Sequence, residues 1–106
     1  MLKTSVKVLQ GVVKGCIKKL PNGKSFLKFT IPYAKKPLGN LRFKAPQKLL
    51  KFETDEIDGT KEGDECYQKS TFSSQLVGSE DCLYLNVYVP ESTSSQKLSV
   101  MVWIHG

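Results

Sequence analysis

Few side chains in this sequence can move a proton, bind a metal or attack a carbon centre in a recognisable arrangement. The one histidine, His105, follows the apolar run Val100-Met101-Val102-Trp103-Ile104 and precedes Gly106. Three cysteines stand at positions 16, 66 and 82. None of them has the Cys-x-x-Cys spacing of a zinc site, and a single histidine in an apolar run does not supply one, so no metal is expected. Cys66 and Cys82 enclose residues 67–81, a stretch rich in Ser, Thr and Gln. A disulfide closing a loop of that size contributes roughly 3 kcal/mol in the chain-entropy treatment. Two ordinary thiols in a reducing compartment are the alternative, and Cys16 is unpaired on either reading.

Charge is divided along the chain. Residues 1–52 hold 13 Lys/Arg and no acid, whereas residues 53–106 hold 3 Lys and 10 acids, so halves of +13 and −7 sum to the net +6. A basic half can mark a nucleic-acid or anionic-membrane surface. Here Lys14, Lys18, Lys24, Lys28 and Lys35 are dispersed among strand-like residues, with no periodic aromatic platform for stacking bases. They are expected to solvate outward faces and strand edges, and no nucleic acid is expected as a partner.

The elements that would position these groups are mostly strands. Val12-Val13 and Cys16-Ile17 lead into Leu20-Pro21-Asn22-Gly23-Lys24, where Asn-Gly predicts a type I′ hairpin turn. The returning strand is Ser25–Ile31, which Pro32 is expected to end. Pro32, Pro37, Gly39 and Pro46 exclude a long helix over residues 32–48, leaving an irregular connection with Arg42 and Phe43 facing inward. Residues 53–65 are acidic, with Ile57 alone apolar, and read as a solvated loop. Leu83, Leu85, Val87 and Val89 alternate with Tyr84, Asn86 and Tyr88, the period of a strand. Its tyrosine face is expected to be the second packed face of a central strand, with Asn86 a buried hydrogen-bond hub. Pro90 closes this strand and a Ser-rich turn follows. Leu98–Ile104 is nearly continuous apolar sequence, which predicts a strand covered on both faces. No segment reads as the amphipathic helix that would cover it, so the chain is expected to be part of something longer. Expressed alone, it should be insoluble or molten.

Four segments, in order, resemble the type-B carboxylesterases, the carboxylesterase/cholinesterase family. Gly78-Ser79-Glu80-Asp81-Cys82-Leu83-Tyr84-Leu85-Asn86-Val87-Tyr88-Val89-Pro90 is similar to the family's second signature. Ile31-Pro32-Tyr33-Ala34 with Pro37-Leu38-Gly39-Asn40-Leu41-Arg42-Phe43 resembles its N-terminal segment, and Cys66-Tyr67-Gln68 resembles the start of its first disulfide loop. Val100–Gly106 looks like the strand entering the glycine-rich oxyanion segment. Thr30 stands where the family usually has glycine, Lys36 replaces the first proline of a Pro-Pro pair, and Phe52 stands near a usual tryptophan. His105 is closer to the general carboxylesterases than to the acetylcholine-hydrolysing branch.

The resemblance implies an α/β fold: residues 1–106 as the β-rich N-terminal part of one α/β-hydrolase domain with a mixed sheet, cut at the start of the oxyanion segment. It implies a serine esterase acting on small-molecule carboxylic esters without a cofactor. The nucleophile elbow Gly-x-Ser-x-Gly is absent from these residues, so catalytic serine, acid and histidine are expected downstream and this stretch alone should be inactive. Gly106 then begins the oxyanion run and His105 is its structural neighbour rather than a base. The resemblance further implies a Cys66–Cys82 disulfide closing a loop at the mouth of the active-site gorge, and a buried Arg42–Glu80 ion pair. Two rival readings stay open: a non-catalytic cholinesterase-like adhesion or binding protein, and a free-standing small basic β protein that binds anionic partners. No transmembrane segment is expected, since no run approaches the ~18 apolar residues a membrane helix needs. Lys7 and Lys14 interrupt any secretory h-region, which predicts an intracellular protein if Met1 is the true start and a secreted one if an upstream exon is missing. Oligomeric state and the particular ester stay open.

Overall fold

A computed structural model describes residues 4–92 and 94–106. Eight strands are present among the described residues: β1 (Ser5–Val8), β2 (Gly11–Lys14), β3 (Cys16–Lys19), β4 (Ser25–Pro32), β5 (Glu56–Asp58), β6 (Gln68–Lys69), β7 (Leu76–Val77) and β8 (Tyr84–Pro90). They form a mixed sheet β1-β2-β5, an antiparallel sheet β3-β4-β8 and a two-stranded ribbon β6-β7. The described helical structure is one short 3-10 turn, Gly39–Leu41. Among the described residues, no helix is long and apolar enough to cross a membrane.

β4 organises the molecule because it is the longest and most deeply buried strand and pairs along both edges. Leu27 and Phe29 join Val13 and Phe52 in the buried core, with Val8, Ile31, Leu49 and Ile57 packed around them. Alternation along a strand turns Lys28 and Thr30 to the opposite face, and they too are buried. Segment 59–63 joins the two larger sheets. Gly59 donates its N–H to the Lys14 carbonyl (2.7 Å) and accepts from Thr30 N–H (2.9 Å).

Several expectations are corrected. The hairpin between β3 and β4 closes through a β-turn over Leu20–Gly23, with Gly23 N–H donating to the Leu20 carbonyl at 3.0 Å. Gly23 alone takes a positive φ (82°), so the loop is a type I turn followed by a left-handed glycine rather than type I′. Pro21 explains the difference, because its fixed φ suits the first central position of a type I turn and forbids I′. Pro32 is the last residue of β4, opposite Tyr84, rather than a residue beyond it. Residues 53–65 are not all loop: β5 adds parallel to β2, placing Ile57 against the core. Phe43, expected inward, is 94% exposed. Its φ of 58° and the Arg42 guanidinium 4.9 Å from its ring centre hold it in a local outward pair.

β8 is an edge strand here, bonded to β4 alone, so Tyr88 and Asn86 are exposed rather than packed between layers. Leu98–Ile104 forms no strand and lies in the open, with Met101 95% and Trp103 89% exposed. A strand exists only where its backbone groups meet a partner, and no described segment pairs with this one.

Candidate functional site

The densest set of ties between separate segments falls on Glu80–Tyr84, where β8 begins. Cys82 is disulfide-bonded to Cys66, with Cα atoms 4.9 Å apart. The loop between them has its own backbone pairing. Ser79 N–H donates to the Glu65 carbonyl (2.9 Å), Tyr67 N–H to the Ser79 carbonyl (3.1 Å), and β6 and β7 pair beyond. One residue back from Asp81, the Glu80 carboxylate receives Arg42 Nε. That pair is not buried: the Arg42 and Glu80 side chains are 57% and 43% exposed. Both sit on irregular segments that no other layer covers.

Asp81 is the node of this region. Both its carboxylate oxygens accept the Tyr84 hydroxyl, at 2.9 and 3.0 Å. Lys36 Nζ lies 3.9 Å from Asp81 and 3.6 Å from Glu53. Burial, then the Asp81 hydrogen bond and its negative charge, push the Tyr84 phenol up to about 12 from an ordinary 10.0. It therefore stays protonated and donates at all physiological pH values. Tyr88, four residues on, tilts against Phe26 with ring centres 5.9 Å apart.

The face of β4 turned away from the core is also wired. Thr30 Oγ1 donates to Asn86 Oδ1 at 2.7 Å, directly across the register. This is one cross-strand bond from an exposed Asn86, not the buried hub expected of it. Lys28, expected to be an outward lysine, is 5% exposed and pairs with Glu62 at 2.6 Å. That hydrogen bond, followed by the lysine's charge, holds the Glu62 carboxyl below the usual range. The signal for Lys28 lay in its neighbours: a lysine inside Phe26–Ile31, paired on both edges, has no outward face to occupy.

A cleft of about 620 Å³ opens beside this face, with Thr30, Ala34, Phe52, Ile57 and Tyr84 on its walls and Lys36 among the charged side chains at its margin. Neither serine, cysteine nor histidine lines it. Its chemistry is apolar burial with charged groups nearby, which serves recognition or packing, not nucleophilic attack. His105 and Gly106 are exposed and do not line this cleft. Among the described residues the His105 side chain has a local partner, with Nδ1 3.0 Å from the Gly106 carbonyl.

Residues 2–106 match the profile described as the carboxylesterase family. The chain is 48% identical over 98 residues to the juvenile hormone esterase of Tribolium castaneum, a match covering 90% of this chain. The chain belongs to the carboxylesterase family. Membership in this family implies an α/β-hydrolase fold, and the strand-rich, mixed sheets are consistent with part of one. A similar likeness (48% over 81 residues, 72% of this chain) extends to the para-nitrobenzyl esterase of Bacillus subtilis. The carboxylic ester hydrolase of Bombus ignitus is 38% identical over 108 residues, 95% of this chain. The chain spans 16% of the first two of these carboxylesterases and 19% of the third.

Proposed function

We propose that residues 1–106 are the N-terminal part of a single carboxylesterase domain whose complete form hydrolyses small-molecule carboxylic esters. The observation that carries this reading is the 48% identity to a named esterase along 90% of the chain. In such an enzyme a serine hydroxyl attacks the ester carbonyl carbon while a histidine takes its proton, and backbone N–H groups hold the resulting oxyanion. The alcohol leaves with that proton, and water then hydrolyses the acyl-serine.

The contribution of these 106 residues is positional. Gly106 begins the oxyanion run, where a missing Cβ lets backbone amides approach the substrate. His105 is its structural neighbour. The Cys66–Cys82 loop forms a wall at the mouth of the active-site gorge, and Arg42 with Glu80 ties the proline-rich segment to the start of β8. Without serine elbow, acid and catalytic histidine, the 106-residue polypeptide hydrolyses nothing by itself.

The test is to read the coding sequence past Gly106 and to assay the complete protein on p-nitrophenyl acetate. A Gly-x-Ser-x-Gly elbow with turnover supports the reading. The same fold with another residue at the serine position and no turnover overturns it in favour of a binding or adhesion protein.

A further inference from the structure

Residues 66–82 are restrained in two separable ways: by a covalent bond between Cys66 and Cys82, and by the folded body that delivers both ends of the loop. On the entering side, Gly59 is bonded to Lys14 and Thr30, and Glu62 to Lys28. Gly63 lies flat against the Tyr84 ring, where a Cβ would come within 2.7 Å of ring atoms. On the leaving side, Tyr33 N–H donates to the Leu83 carbonyl at 3.1 Å, and β8 runs along β4 from Tyr84 onward. The same Tyr84 hydroxyl is held by Asp81. Both ends are thus seated on β4 and on each other without the sulfurs.

Inside the loop, Gly78 sets the path. Its φ is +89°, and a Cβ there would come 2.6 Å from the Cys66 carbonyl oxygen, with the Glu65 carbonyl oxygen nearer still. This close approach places Ser79 N–H on the Glu65 carbonyl and Tyr67 N–H on the Ser79 carbonyl.

We infer that the closed form of this loop does not depend on its disulfide: the body juxtaposes the ends, Gly78 fixes the backbone, and the loop keeps its shape with Cys66 and Cys82 reduced. A disulfide acts mainly on the unfolded chain. Its loss therefore lowers global stability while leaving the native loop as it is. A dithiol reductant supplies two electrons and two protons, yielding two protein thiols and its own cyclic disulfide. The loop then suits oxidising and reducing compartments alike, and the inference stands whether or not the complete protein hydrolyses esters.

Amide hydrogen exchange tests this on the complete protein, well below its unfolding temperature, with the β4 amides as reference. In C66S/C82S, the amides of Tyr67 and Ser79 are expected to keep their protection relative to β4. In G78A they are expected to lose it while β4 is unchanged. Loss of Tyr67 and Ser79 protection in C66S/C82S with β4 intact would overturn the inference, as would full protection in G78A. If C66S/C82S does not fold, the folded parent is reduced with dithiothreitol instead. Retained loop protection then supports the proposal, and loss at the loop or throughout overturns it.

Discussion

Asp81 holds the Tyr84 phenol and draws in Lys36, while its neighbours Glu80 and Cys82 bind Arg42 and Cys66. Because the folded Tyr84 titrates near 12 against an ordinary 10.0, it favours the folded state fully below pH 10. That contribution is lost as the pH rises from 10 to about 12, since the unfolded phenol ionises first. Asp81→Asn is expected to lower the Tyr84 pKa but not to its ordinary value, because burial, the larger cause, remains. An ultraviolet tyrosinate titration of the complete protein, with Tyr84→Phe identifying the signal, checks this. Arg42→Ala tests the other tie. An ion pair as exposed as this one is worth about 0–1 kcal/mol, whereas breaking a pair that the remainder of the domain covers costs about 3–5 kcal/mol. The smaller loss, read from denaturant unfolding of the complete protein, is the outcome that the observed exposure predicts. A loss of about 3–5 kcal/mol would mean that the pair is covered in the complete protein.

At the scale of elements, segment 59–63 joins the sheets and Lys28–Glu62 is its ionic latch. The Glu62 carboxyl is held below its ordinary 4.5 by Lys28, and Asp58 below 3.8 by hydrogen bonds from Thr60. Depressed carboxylates stabilise the fold above their unfolded pKa values, and that stabilisation is lost as pH falls through the lower folded ones. Glu62→Gln is therefore expected to flatten the acid limb of a stability-against-pH curve. It should also destabilise more at neutral pH than Lys28→Met, because it strands a buried ammonium whereas methionine removes the charge. Equal losses in thermal melts of the two variants would count against this account. The hairpin β3–β4 and the strand β8 were legible in local pattern, whereas the outward placement of the lysines failed at Lys28. β5 was not, since a three-residue strand with one apolar side chain has no period to detect and forms only because β2 offers it an edge. The inward placement of Phe43 failed because a proline- and glycine-rich segment has no period from which to read direction. Thr30, Lys36 and Phe52, which depart from the family pattern, each found a place: a bond to Asn86, carboxylates at Glu53 and Asp81, and the core.

Across the whole molecule, the apolar surface is arranged for more partners than 106 residues supply. Val100–Ile104 is exposed throughout, and β8 has a free edge. An unpaired, β-prone apolar segment invites self-association. Expressed alone, the polypeptide is expected to aggregate or to bind a hydrophobic dye without a cooperative melt. A sharp transition in a monomer would contradict that. The proposal that the chain is part of a serine carboxylesterase is tested most directly by treating the complete protein with a p-nitrophenyl phosphonate ester and locating the adduct by mass spectrometry. The account predicts stoichiometric release of p-nitrophenol and a phosphonylated serine in a Gly-x-Ser-x-Gly sequence outside residues 1–106. Absence of an adduct, or an adduct confined to residues 1–106, would contradict it.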